Sequence, residues 1–121
     1  MISVCIATYN GGRFIREQLR SILSQLSPRD EIVISDDGST DNTLSIVREF
    51  NSPLIRVFTN NGQHGYTPNF ENALAHAKGD YVFLSDQDDI WEPQKVKVCM
   101  EHLKSCDFVI SDATMVDAGN R

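Results

Sequence analysis

Short apolar, β-branched runs recur along the chain at ISVCIA (2–7), EIVIS (31–35), IRVFT (55–59), DYVFLS (80–85) and DFVIS (107–111). Runs of this length and composition predict buried strands. Helical spacing fills the gaps between them. Ile15, Leu19, Ile22, Leu23 and Leu26 share one face, and Leu44, Val47 and Phe50 share a second. Phe70, Ala73, Leu74 and Ala77 form a third face, with Gly79 placed as its C-terminal stop. Val96, Cys99, Met100 and Leu103 form a fourth, with Pro93 near its first turn. Strands that alternate with helices predict crossover units: an α/β fold, a three-layer α/β/α sandwich around a mostly parallel sheet. After the fifth strand comes only DATMVDAGNR, with no closing helix. The expectation is a single unit over residues 1–121 that forms part of a longer protein.

The polar residues are distributed unevenly about this sheet. Open α/β sheets bind ligands beyond the carboxyl ends of their strands. There the chain places TYNGG, DDGSTDNT, NNGQHG, DQDDIW and Asp112, whereas LSPRD and FNSP at the opposite edge read as ordinary turns. In DDGSTDNT, Gly38 turns the chain and Ser39, Thr40 or Asp41 caps the next helix. That leaves the consecutive Asp36 and Asp37 as ligand candidates. A carboxylate only accepts hydrogen bonds, which suits the imide N–H of uracil or thymine. Thr8 and Tyr9 either open a plain turn at Asn10 and Gly11 or stand beside a planar base, the ring supplying a stacking face. Gly62 and Gly65 mark a flexible loop running into the third helix, with Thr67 as its cap and Pro68 in its first turn. His64 reads as an exposed histidine outside any ligand cluster.

Charge narrows the partners. The 121 residues carry a formal charge of −6. Electrostatic attraction to nucleic acid or anionic lipid is therefore not expected to drive binding. Cys5, Cys99 and Cys106 are odd in number and lack zinc spacing, so they read as reduced, mostly buried thiols of a cytosolic protein. The N-terminal apolar stretch is too short, and lacks the basic start, for a signal peptide, and no run approaches a membrane span.

Against this acidic background, LSDQDDIW (84–91) packs three aspartates into four positions. Clustered carboxylates raise one another's pKa values unless a cation neutralises them. Asp86 and Asp88 stand at i and i+2, which points both side chains the same way in an extended segment. A calcium EF-hand is excluded, because counting from Asp86 its glycine position holds Trp91 and its twelfth position Lys97. A divalent ion bridging the protein to a diphosphate accounts best for the cluster, Mg2+ and Mn2+ both accepting such oxygen ligands.

Taken in order, TYN, DDGSTDNT, a glycine-containing loop and GDYVFLSDQDD resemble the family 2 glycosyltransferases of GT-A fold, and SILSQ (21–25) resembles that family's first helix. NFENALAHAKGDYVFLSDQDDIWEPQKV is similar to bacterial rhamnosyltransferase-like members that build O-antigen or capsule. The resemblance implies roles. Ala7, Thr8 and Tyr9 would border the base, and Asp37 would hydrogen-bond it with Asp36 alongside. Asp86 would lie near ribose and metal. Asp88 would be the principal ligand of Mn2+ or Mg2+ in a DXD motif, assisted by Asp89, and Trp91 would pack under the loop. It further implies inverting transfer of a sugar from a UDP- or dTDP-sugar to a glycan or lipid-linked acceptor, in the cytoplasm or at the inner face of the plasma membrane. The family's general base lies well downstream of the DXD motif, and neither Asp112 nor Asp117 matches it. The chain is therefore expected to hold the nucleotide-binding portion, without the base or the acceptor half, and exposed apolar surface would favour self-association.

Rival readings remain. A sugar-phosphate nucleotidyltransferase would want a basic glycine-rich phosphate loop, for which the chain offers only Gly11, Gly12 and Arg13. A receiver domain would carry its acids after the first and third strands rather than the second and fourth. A non-catalytic nucleotide-binding module fits the same residues.

Overall fold

The computed structural model describes residues 1–86, 90–102, 109–111 and 115–117. In chain order these form β1 (Ile2–Thr8), α1 (Ile15–Leu23), β2 (Glu31–Asp36), α2 (Thr43–Glu49), β3 (Ile55–Thr59), α3 (Tyr66–His76), β4 (Tyr81–Asp86), α4 (Lys95–His102), β5 (Val109–Ser111) and β6 (Met115–Asp117). The first four strands make one parallel sheet in the order β3-β2-β1-β4. β1 and β2 are its interior strands. That position explains their unbroken apolar runs, since a strand covered on both faces has no polar side to show.

The two faces are covered differently. Val4, Ile6, Ile32, Ile34 and Phe83 pack with Ile15, Leu19 and Ile22 of α1, Ile46 and Val47 of α2, and Trp91, Val96 and Cys99 from the α4 region. Cys5 and Val33 point the other way, onto Ala73 of α3 and Ala77 just past its end. Three layers result. The Cys5 thiol is pushed up to about 12, chiefly by burial and then by nearby Glu31, and burial also raises Cys99. Both are unreactive as thiolates. Cys106 lies outside the described residues.

Four local expectations need correction. β5 does not extend the parallel sheet; it pairs antiparallel with β6, a strand the hydrophobic pattern did not reveal. Leu74 is 41% exposed rather than part of the α3 core face. Thr67 does not cap α3, because the N-cap falls on Gly65 at φ 122°. Gly79 does not stop α3 either: the helix ends at His76 and its C-cap is Ala77. Gly79 instead lets the chain pass close to β1, since a Cβ there would lie 2.7 Å from Ser3 N.

At the sheet edge away from the strand carboxyl ends, buried Glu31 accepts hydrogen bonds from Ser3 Oγ (2.6 Å) and Lys78 N (2.7 Å) and pairs with Arg56 (2.6 Å). Burial raises the Glu31 carboxyl, but these donors more than offset it and leave it below the ordinary carboxylate range.

Candidate functional site

Register brings the strand ends level. Thr8 is opposite Asp36, Ala7 opposite Asp86, and Asp36 opposite Thr59. Chain order reverses direction at β1, with β2 on one side and β4 on the other, and open α/β sheets leave a crevice at such a switch point. A cleft of about 840 Å³ opens here, lined by Ala7, Thr8, Tyr9, Asp37, Gly38, His64, Gly65, Tyr66, Asn69 and Asp86.

Its floor is a laced pair of loops. The Asp36 carboxylate accepts from Thr8 Oγ1 (2.7 Å), Ser39 Oγ (2.6 Å), Ser39 N (2.8 Å) and Gly38 N (3.1 Å). Asp36 is 2% exposed and does not line the cleft. Its acceptor capacity is filled by the loop it folds. Asn10, at φ 52°, accepts from Thr40 N (2.8 Å) while its own N–H donates to Ser39 Oγ (2.9 Å). Asp41 accepts from Gly12 N (3.0 Å) and Thr43 N (3.0 Å). TYNGG and DDGSTDNT thus hold each other, which fixes where Tyr9 and Asp37 emerge.

Asp37 does face the cleft. Its Oδ1 accepts from Asn60 Nδ2 (3.0 Å) and lies 2.7 Å from His64 Nδ1, and its Oδ2 accepts from Gly65 N (3.0 Å). The Gly65 N–H, then His64 and Asn60, hold its carboxyl below the usual range. An ionised carboxylate cannot donate, so the shared ring proton belongs to His64 Nδ1. His64, read from sequence as an unremarkable surface residue, is 75% exposed yet is bonded to Asp37, whose side chain is 11% exposed. Sequence reasoning missed this contact because it spans 27 positions. It also missed Asn69, whose buried amide accepts from Ser35 Oγ (2.7 Å) and donates to Thr8 O (3.2 Å), tying α3 to both central strand ends.

Asp86 lines the far side. Tyr66 Oη donates to its carboxylate. Behind it lies a buried polar node. Gln18, on the apolar face of α1, donates from Nε2 to Ser85 Oγ (2.9 Å) and to the Asp86 carbonyl. Trp91 Nε1 donates to the same Ser85 Oγ (3.0 Å), and Trp91 N to Ser21 Oγ (2.9 Å). Gln25 donates to Glu92 O (2.9 Å) and accepts from Val96 N (2.8 Å). Gln18 and Ser21 of α1, with Gln25 just beyond it, therefore anchor the chain at Ser85–Asp86 and again at Trp91–Val96. Trp91 is buried against Phe83.

The structure thus brings Ala7, Thr8, Tyr9, Asp37 and Asp86 into one cleft and leaves Asp36 outside it. Asp88 and Asp89, expected with Asp86 to hold a metal, lie outside the described residues, as does Asp112. Among the described residues no group of three His, Cys, Asp or Glu side chains could hold an ion. Asp86 contributes one hard oxygen donor beside open volume, which fits a cation that completes its shell with phosphate oxygens.

This chemistry has relatives. The sequence profile of Glycosyl transferase family 2 matches residues 3–120. The chain belongs to that family. It is 40% identical over 107 residues to the dTDP-rhamnosyl transferase RfbG of Shigella flexneri, covering 81% of this chain and 36% of RfbG. Among solved structures it superposes on S. aureus TarS 1-349 in complex with UDP-GlcNAc, with TM-score 0.74 and 31% identity over 86% of this chain and 31% of that one. It also superposes on the mannosyltransferase PcManGT from Pyrobaculum calidifontis in complex with GDP-Man and Mn2+, with TM-score 0.78 and 30% identity, covering 89% and 33%. The fold is that of GT-A glycosyltransferases. The chain spans about a third of the length of the curated relatives it matches first. No helix among the described residues is long and apolar enough to cross a membrane.

Proposed function

We propose that the chain forms the nucleotide-sugar end of a metal-dependent, inverting glycosyltransferase that takes a UDP- or dTDP-sugar and serves cell-surface polysaccharide synthesis on the cytoplasmic side, with a glycan or lipid-linked acceptor. The observation that carries this reading is that Asp37 and Asp86, at the ends of the two strands flanking β1, line one cleft of about 840 Å³ together with Tyr9. That volume falls within the range of small-molecule sites. Asp37 is an acceptor for an imide N–H, Thr8 and Ala7 form the wall beside it, and the exposed Tyr9 ring offers a stacking face. The similarity to RfbG supports dTDP-rhamnose as one donor to be tested.

At the other end Asp86, with Asp88 and Asp89, would hold Mn2+ or Mg2+ against the donor's phosphates. A bound ion there would supply Lewis-acid stabilisation of the departing diphosphate. The chain's own part is to fix the donor: Asp37 orients the base, the β1 end limits its depth, and the Gln18–Ser85–Trp91 node holds the Asp86 backbone rigid.

Calorimetric titration with UDP and dTDP, with and without Mn2+, tests the reading. The expected result is nucleotide binding that Mn2+ strengthens, with the Mn2+ dependence lost in Asp88→Ala. Folded protein that binds neither nucleotide under either condition would refute it. Binding of a sugar 1-phosphate with a nucleoside triphosphate, and turnover of that pair, would shift the assignment to a nucleotidyltransferase.

A further inference from the structure

One short segment touches both acidic positions of the cleft. His64 Nδ1 and Gly65 N donate to Asp37 at 2.7 and 3.0 Å, and the next residue, Tyr66, donates its hydroxyl to Asp86. Gly65 stands at φ 122°, a region closed to most side chains, and His64 and Tyr66 are 75% and 65% exposed. Tyr66 opens α3, which is seated by buried Asn69, Phe70 and Ala73.

We infer that His64–Tyr66 is an internal stand-in for the donor, and that Tyr66 is a positioning residue that sets how readily Asp86 accepts a cation. This rests on the reading of the cleft as a nucleotide-sugar site. The chemistry is matched at each end. The N–H donors at Asp37 occupy acceptor positions that a base imide would use, and the Tyr66 O–H places a partial positive charge on the carboxylate that a cation would use. Because Gly65 and Tyr66 are consecutive, loosening one loosens the other. A base that takes over at Asp37 draws the segment away and removes a competing donor from Asp86. Cation entry at Asp86 likewise loosens the Gly65 contact. Coupling of this kind is reciprocal by linkage.

The test separates the two ends with probes that do not bind each other. Mn2+ affinity is measured by the paramagnetic resonance signal of free ion, with and without millimolar uridine, which has no phosphate to chelate the metal. In wild-type protein, uridine should tighten Mn2+ binding. Tyr66→Phe removes one hydrogen bond to a carboxylate and keeps the ring against Phe70. It should bind Mn2+ alone about three- to tenfold more tightly, the range of one such hydrogen bond, and uridine should then add less. An unchanged melting temperature separates this gain from a structural effect, because a damaged fold loses affinity. Mn2+ binding by Tyr66→Phe that equals or falls below wild type overturns the inference and leaves the donor reading intact. Wild-type protein that binds neither Mn2+ nor uridine overturns both.

Discussion

Gln18 offers a sharp test of how the acidic segment is held. Its side chain is fully buried, donates two hydrogen bonds from Nε2, and finds no partner for Oε1 among the described residues. Gln18→Glu preserves shape and volume while replacing the donor with an acceptor. That acceptor would face the Asp86 carbonyl and the Ser85 hydroxyl. A buried, unpaired carboxylate is far more costly than a proton, so the introduced group should stay neutral, and its O–H can replace only one of the two donations. The acid's pKa is thus raised in the folded state, and the penalty is absent below the unfolded value and grows as pH rises toward the folded one. Holding a proton at pH 7 on a group whose ordinary pKa is about 4.3 costs about 3.7 kcal/mol, and at pH 5 about 1 kcal/mol. One lost hydrogen bond adds about 1 kcal/mol at either pH. Urea unfolding read by fluorescence suits the case, since Trp91 is the single tryptophan, is buried, and bonds to the same Ser85. The destabilisation of the variant relative to wild type should fall by about 2–3 kcal/mol between pH 7 and pH 5. A deficit under about 1 kcal/mol that does not change with pH would show that Gln18 reaches water and that the node is not dry.

Asp36 and Asp37 should part company on amidation. Asp36→Asn sets an amide NH2 among four donors and should cost about 2–3 kcal/mol in thermal or urea unfolding, whereas Asp37→Asn should weaken uridine binding at least about tenfold with a smaller loss of stability. Equal stability losses would dissolve the distinction drawn between them. Glu31→Gln should cost about 2 kcal/mol at pH 7. Because hydrogen bonds from Ser3, Lys78 and Arg56 depress the Glu31 carboxyl, its contribution is full above the unfolded value and fades as pH drops through the folded one, so the gap between variant and wild type should hold at neutral pH and narrow as pH falls below about 4.3. Gly79→Ala should lose about 1–3 kcal/mol, since its Cβ would meet backbone atoms of Ser3 and Met1 at 2.7 and 2.9 Å; an unchanged melting temperature would refute that close approach.

Much of this architecture is legible in the sequence because one physical signal governs it. Interior parallel strands are apolar on both faces, so β1 and β2 announce themselves as continuous runs and the loops at their carboxyl ends can be assigned to one edge. The same logic fails at β5. Three residues carry too little pattern to say which strand they pair with, and their partner β6 is as short. It fails differently at Asp36 and Asp37. Two adjacent carboxylates at a strand end look alike in sequence, but consecutive side chains leave a strand in opposite directions. One had to turn into the loop and one toward the cleft, and only the position of Thr8 across the β1–β2 register decides which.

The residues that sequence reasoning passed over share a cause, and one of them left a trace. His64, Tyr66 and Asn69 gain their roles from partners far along the chain, so no local period marks them. Gln18 is different. Ile15, Gln18, Leu19 and Ile22 follow i, i+3, i+4, i+7, so the helical repeat itself places a polar amide on the buried stripe. A buried polar group must find partners, and a stripe facing the β4 end has few to offer besides backbone and hydroxyl groups. The polar interruption of an apolar face was therefore the legible sign that α1 does more than pack. It supports, from behind, the backbone on which the Asp86 carboxylate is carried, and that support fixes where Asp86 meets the cleft.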